Sequence, residues 1–224
     1  MKRLLFLCSV LLFFACVKRE ESRSIDDRIV SVSFSDENTM SLNDSLHCEF
    51  IPLEIIPDNS NLIGHILKIE IVDDRIFVLD MLRSKSLQVY DMQGKYMAHV
   101  GAVGNGPGEY ITPHDFYLDK EEKGITITDL STNTRLFYDL DTYQYKGEQK
   151  IPFNSGVSIK HNNRLVWCDF NGFKKARDLY YIKVTDATME NEKYLYPADF
   201  TSPYGIHLGD ALYQIDGKIH FTHP

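Results

Sequence analysis

The sequence predicts an all-β protein of the β-propeller class, present as an incomplete arc of about three and a half blades. Three observations predict it. First, a strand-forming passage comes round again: RIFVLD at 75–80 and, after a polar break, LQVYD at 87–91 return as GITITD at 124–129 and LFYD at 136–139. The first half returns twice more, as RLVWCD at 164–169 and KIHFT at 218–222, at spacings of 49, 40 and about 54 residues. A repeat of this period in strand-forming residues is one four-stranded blade. Second, the strands are apolar on both faces for much of their length, as in sheets covered by neighbours on both sides. Third, no amphipathic helical period is long enough to compete.

Taken in order, Lys2 and Arg3 precede an apolar run over residues 4–15 that ends at Phe14, Ala15 and Cys16. That run is shorter than the roughly 20 residues a membrane-spanning helix needs, so it reads as a secretory signal. A small residue directly before a cysteine, followed by Lys18, Arg19, Glu20 and Glu21, resembles a bacterial lipoprotein signal with its lipobox, with Phe13 where leucine is usual. The resemblance implies removal of residues 1–15, lipidation of Cys16, and an outer membrane lipoprotein that is periplasmic or surface-exposed. An uncut anchor and a plain secretory signal are the alternatives. Residues 16–28 are charged and poor in apolar groups, a flexible tether. Cleavage removes two of 24 basic residues and none of 32 acidic ones, so the formal charge moves from −8 to −10. That balance excludes nucleic acid and an anionic lipid face as expected partners. A hydrophobic content of 43% is ample for one core.

Residues 29–63 read as N-terminal outer strands. The stretch 29–34 alternates apolar residues with Ser, and 46–56 is apolar but interrupted by Pro52, which cannot donate to a ladder and belongs at an edge. Blade one occupies 64–101, with strands at 66–72, 75–80, 87–91 and 96–100 and a turn at Asp73 and Asp74. Blade two covers 115–151, blade three 156–197, and 206–224 opens a fourth. Cys48 and Cys168 lie in apolar strand segments; an oxidising envelope allows a bridge, whereas a free buried cysteine acts as a small hydrophobe.

Between the first two blades stand Gly104, Gly106, Pro107, Gly108, Glu109 and Tyr110. Glycines supply positive-φ positions and Pro107 fixes φ between two of them, which lets the chain cross from the rim of one blade to the hub of the next. The cluster lacks the Lys-Ser/Thr pair of a phosphate-binding loop, and strand rather than helix follows it. With Gly94, Gly101, Pro113 and Asp119, the run resembles the blade junctions of NHL-type repeats and of the six-bladed propeller lipoproteins of Bacteroidetes, over residues 46–224. Six blades need roughly 270 to 290 residues, while residues 64–224 supply 161. The expectation is a C-terminally truncated chain whose last strand has an unpaired edge.

His65, His114 and His207 each lie ten or eleven residues before the second strand of their blade, with Asn154 at the same offset in blade three. Those positions are entrances to inner strands, which ring one mouth of the central channel. Three imidazoles converging there suit a divalent metal, and the resemblance to NHL-type repeats implies the same, since propeller lyases of that class hold a metal in this way; capping turns or facing solvent is the alternative. Asn154 and Asp115 are expected to line the same mouth as binding residues. Asp80, Asp129 and Asp169 recur at equivalent strand ends, which reads as structural acceptance of backbone hydrogen bonds rather than a catalytic pair. No nucleophile elbow is present. Tyr110, Tyr117, Tyr180, Tyr181 and Tyr204 are candidates for a sugar or peptide surface, against packing between blades. The expected function is a lipid-anchored binding or scaffold module for a peptide, glycan or envelope protein. The alternative is a metal-dependent lyase or hydrolase at the channel mouth.

Overall fold

The computed structural model describes residues 49–154, 156–197, 212–215 and 218–221. Those from Phe50 onward belong to one unit, Phe50–Pro224. Every regular element among them is a strand. The first sheet is β1 (Lys68–Val72), β2 (Arg75–Asp80), β3 (Ser86–Asp91) and β4 (Tyr96–Val100), and a short parallel pair follows, β5 (Ala102–Val103) with β6 (Glu109–Tyr110). The second sheet is β7 (Pro113–Asp119), β8 (Gly124–Asp129), β9 (Thr134–Asp139) and β10 (Tyr145–Lys150). The third is β11 (Val157–His161), β12 (Arg164–Lys175), β13 (Asp178–Thr185) and β14 (Lys193–Pro197), and β15 (Leu212–Ile215) pairs with β16 (Lys218–Phe221).

The turns explain why these pairings form. Asp73 and Asp74 both have positive φ and close β1 onto β2 with Val72 opposite Arg75; Asn162 and Asn163 do the same between His161 and Arg164. Two successive left-handed residues make the hairpin turn whose twist matches the strands, and Asp and Asn tolerate it best after Gly. Third and outer strands are joined by a second recurrent device. Asp91, Asp139 and Asp186 each accept backbone N–H bonds from the turn that follows, from Gln93 and Lys95, from Asp141 and Thr142, and from Thr188 and Glu190. The carboxylates of Asp139 and Asp186 are held down to about 2; for Asp139 the largest cause is its Thr142 N–H bond, for Asp186 its Asn191 side chain.

Because side chains alternate along a strand, the register assigns each residue to a face. Phe77, Leu79, Leu87 and Val89 of blade one meet Phe116, Ile125, Ile127, Leu136 and Tyr138 of blade two in one buried cluster. Cys168, Ile182, Val157, Ile159 and Val184 of blade three meet Leu212, Ile219 and Phe221 of the fourth pair. The opposite face of blade one, with Ile76, Val78 and Tyr90, is covered by Leu53 and Ile63, while Ile66, Ile69 and Ile71 stay exposed.

Two expectations are corrected. Residues 49–56 form no strand: Glu54 makes one backbone bond to the Gly94 carbonyl, and its carboxylate, rather than a carbonyl, accepts the N–H of Tyr96. Asp169 does not end a strand. A bulge with Gly172 at φ 75 between Cys168 and Phe173 lets β12 run on to Lys175, so the hairpin of blade three is longer than those of blades one and two.

Candidate functional site

At one end of the sheets lie the blade-connecting loops and the turns between second and third strands. There Asp80 gathers five backbone N–H groups, from Gly64 (2.7 Å), His65 (3.1 Å), Leu82 (3.1 Å), Arg83 (2.9 Å) and Ser84 (3.2 Å). Burial pushes this carboxyl upward, yet these donors prevail and hold it at about 2. Asp129 repeats the arrangement with Ile111, Thr112 and Ser131, adding the Thr132 hydroxyl. Both carboxylates tie the loop entering a blade to the turn leaving its second strand. That is the structural role their repetition predicts.

The predicted mouth residues that lie among the described ones have different surroundings. His65 is exposed and borders a cavity of about 580 Å³ walled by Leu53, Ile63, Ile66 and Tyr90. His114 is half-buried with Nδ1 3.1 Å from the Met81 sulfur. Asn154 is exposed. Asp115 is buried and accepts from Lys68 Nζ at 2.9 Å and from the Ser158 N–H at 2.9 Å, so it ties the inner strands of three blades together. Cys16, Cys48, His207 and Tyr204 lie outside the described residues. Among those described, no three His, Cys, Asp or Glu side chains come together as a metal site.

The glycine run is a packed crossover. Gly106 donates to the Glu109 carboxylate (2.7 Å), Gly104 to the Tyr110 carbonyl (3.0 Å), and the Tyr110 hydroxyl to the Val100 carbonyl (2.9 Å). Gly101 and Gly108, at φ 70 and 75, are the positions that demand glycine: an added Cβ would lie 2.6 Å from the Tyr110 ring and the Tyr138 hydroxyl, or 2.9 Å from Tyr145. Burial pushes the Tyr110 phenol up to about 12. Pro107 is exposed at the tip.

Among the described residues, the buried side-chain atoms without a hydrogen-bond partner lie elsewhere, between blades two and three. Pairing of Thr128 with both Asp115 and Arg135, and of Thr126 with both Tyr117 and Phe137, puts these residues on the face of blade two turned to blade three. Opposite stand Ser158, Lys160, Leu165 and Trp167, set by the pairing of Ser158 with Trp167 and Lys160 with Leu165. Arg135 is only 4% exposed, and its guanidinium lies over the Tyr117, Phe137 and Trp167 rings at 5.7, 5.1 and 5.6 Å. It donates to the Tyr117 hydroxyl and, at 3.2 Å, to Gln149. No carboxylate pairs with it among the described residues, and burial pushes its pKa down. The buried Arg135 Nε, Thr128 Oγ1 and Ser158 Oγ have no hydrogen-bond partner.

A cavity of about 310 Å³ opens beside them, at the end of the sheets opposite the blade-connecting loops. Arg135, Tyr117, Gln149, Lys160, Asn163 and Ala187 are among its walls. Its acidic wall residues, Asp119 and Glu122, both pair with Lys160, at 2.8 and 2.5 Å. The sequence reading passed over Arg135 although a signal was there. Aligned on the closing aspartates Asp91 and Asp139, Arg135 takes the place of Leu87, a charge where the preceding repeat has a core leucine.

Antiparallel four-stranded sheets packed face to face, with first strands β7, β11 and β1 linked through Asp115, define a β-propeller. This chain belongs to a family described as 6-bladed beta-propeller, which it matches over residues 18–224. No curated protein matches it. Among solved structures, an exported protein of Bacteroides fragilis superposes with a TM-score of 0.69 at 22% identity, over 77% of this chain and 49% of that one. A protein of unknown function from Bacteroides caccae gives 0.42 at 11% identity, over 58% and 47%. The chain therefore spans about half the length of either protein.

Proposed function

We propose that this chain is a binding or scaffold module outside the cytoplasm, held to the outer membrane by a lipid on Cys16, with a peptide, a glycan or an envelope protein as partner. The observation that carries the reading is the saturation of the carboxylates at the mouth. Asp80 and Asp129 are engaged by donors from their own loops. Asp80, held at about 2, stays ionised at any envelope pH and is a poor general acid. The apolar run before Cys16 and the exported protein of B. fragilis support the compartment.

The test has two arms. Palmitate labelling of the full chain is expected to disappear in Cys16→Ser, and undiminished labelling removes the anchor. The purified full chain is expected to bind saturably on arrays of peptides and glycans and to retain no stoichiometric metal after dialysis. One zinc or iron per chain, released by His114→Ala, overturns the reading in favour of a metal-dependent lyase or hydrolase.

A further inference from the structure

We infer that the cleft between blades two and three is a binding site for the carboxylate group of a small ligand, with Arg135 as its anchor. The inference rests on the reading of the chain as a binding module. An arginine buried without an anionic partner is costly, because its hydration is lost and nothing of opposite charge replaces it. Cations at the neighbouring seam do not stand this way. Lys68 pairs with Asp115 at 2.9 Å and Glu70 at 3.2 Å, and Arg75 lies 3.7 Å from Asp141. Arg135 lines the cavity with no such partner among the described residues, and its guanidinium is packed among the aromatic rings of Tyr117, Phe137 and Trp167.

The surroundings sharpen the ligand class. The guanidinium fork matches the two oxygens of a carboxylate, and held rigidly it loses little entropy on binding. Tyr117 and Gln149 already take one donor group each, which fixes the fork but leaves it short of charge compensation. Asn163 offers an amide to a neutral hydroxyl or amide group of the same ligand, Gln149 being held between Arg135 and the Ala187 carbonyl, and Phe137 offers an apolar wall. A volume of about 310 Å³ suits a molecule the size of a sugar acid or an acidic amino-acid derivative. Asp119 and Glu122 also face the cavity, and Lys160, pairing with both, offsets one of their two negative charges.

Calorimetric titration of the full chain in detergent micelles tests this with glucuronate, N-acetylglutamate and glucose. One or both acids are expected to bind at one site per chain and glucose not at all; which acid binds tells a sugar source from a peptide source. Arg135→Met is expected to weaken binding at least about tenfold, the loss typical of a charge-assisted pair. Should that variant fold poorly, Ala187→Trp serves in its place, because Ala187 is an exposed wall residue whose side chain makes no hydrogen bond and a larger one closes the cleft. Two silent acids, equal binding of glucose, or unchanged affinity in a folded variant overturns the inference. Saturable array binding that survives both variants also overturns it, while leaving the binding-module reading intact.

Discussion

The two complete blade seams are built to the same plan and filled differently. Between blades one and two, Leu87 and Val89 face Leu136 and Tyr138, and the cations at the margins have carboxylate partners. Between blades two and three, the equivalent positions of blade two are Arg135 and Phe137, and all three unpartnered buried side-chain atoms among the described residues collect on those two faces. The backbone is shared; what differs is whether a seam spends its side chains on cohesion or keeps polar groups waiting. The second kind gives up cohesion at one place, which is how a ligand site is made.

Truncation in the first seam should have the largest effect. Phe77 is fully buried and meets Phe116 at 6.5 Å between ring centroids. Phe77→Ala is expected to cost about 3–5 kcal/mol in urea unfolding. A cost below about 1 kcal/mol would mean that the first seam is not the cohesive one.

Next comes Asp80, which serves the loops rather than a seam. Asp80→Ala leaves five backbone N–H groups without their acceptor, for a loss of about 2–3 kcal/mol. The same carboxylate predicts an acid limb. Its folded pKa, about 2, lies below the value of an unfolded Asp, about 3.9. Its contribution is therefore fully present above pH about 4 and is lost as pH falls toward 2. Asp80→Asn should flatten that part of the pH–stability curve, and an unaltered curve would show that the staple does not carry it.

Arg135→Met is the substitution that divides the seams most clearly. Replacing an uncompensated buried charge by an apolar chain of similar length is expected to leave stability within about 1 kcal/mol or raise it. A loss as large as that from Phe77→Ala would show the guanidinium to be the glue of the second seam, and the contrast would collapse.

Legibility in the sequence follows the same division. Blades were legible because strand periodicity and turn chemistry are local: the Asp73–Asp74 and Asn162–Asn163 turns and the aspartates closing each third strand announce themselves within a few residues. The continuation of β12 past Asp169 was not, because it depends on a bulge at Gly172 that only the pairing with β13 reveals. His65 and His114 lie beside the loops that enter blades one and two, as their offsets in the sequence place them. Asp115, expected to bind, instead ties three inner strands, a fact set by Lys68 and the Ser158 N–H, which lie 47 and 43 residues away. The cleft escaped notice for a similar reason. Arg135 stands out in the sequence only as a charge at the place of Leu87, and that it borders a cleft shows once Trp167 and Lys160 of the next blade are set across from it.

The smallest effect expected comes from Thr128, whose buried Oγ1 has no partner. It pairs across the sheet with Arg135 and shares the face of Thr126 in the second seam. A valine keeps its shape and removes the hydroxyl. In most buried places that exchange is harmful because a hydrogen bond is lost; here none is made, so the desolvation cost of the hydroxyl disappears and stability should rise by about 0.5–1 kcal/mol. Ile127, the preceding residue on β8, points to the first seam and is fully buried, so Ile127→Thr tests the reciprocal case. It places an unpartnered hydroxyl among apolar neighbours and is expected to cost about 1–3 kcal/mol. Opposite signs at adjacent residues of one strand, read from paired urea transitions, would confirm that the two faces obey different rules. A loss at Thr128→Val would mean that its hydroxyl has a partner in solution, water or ligand, and that the second seam is less idle than its packing implies.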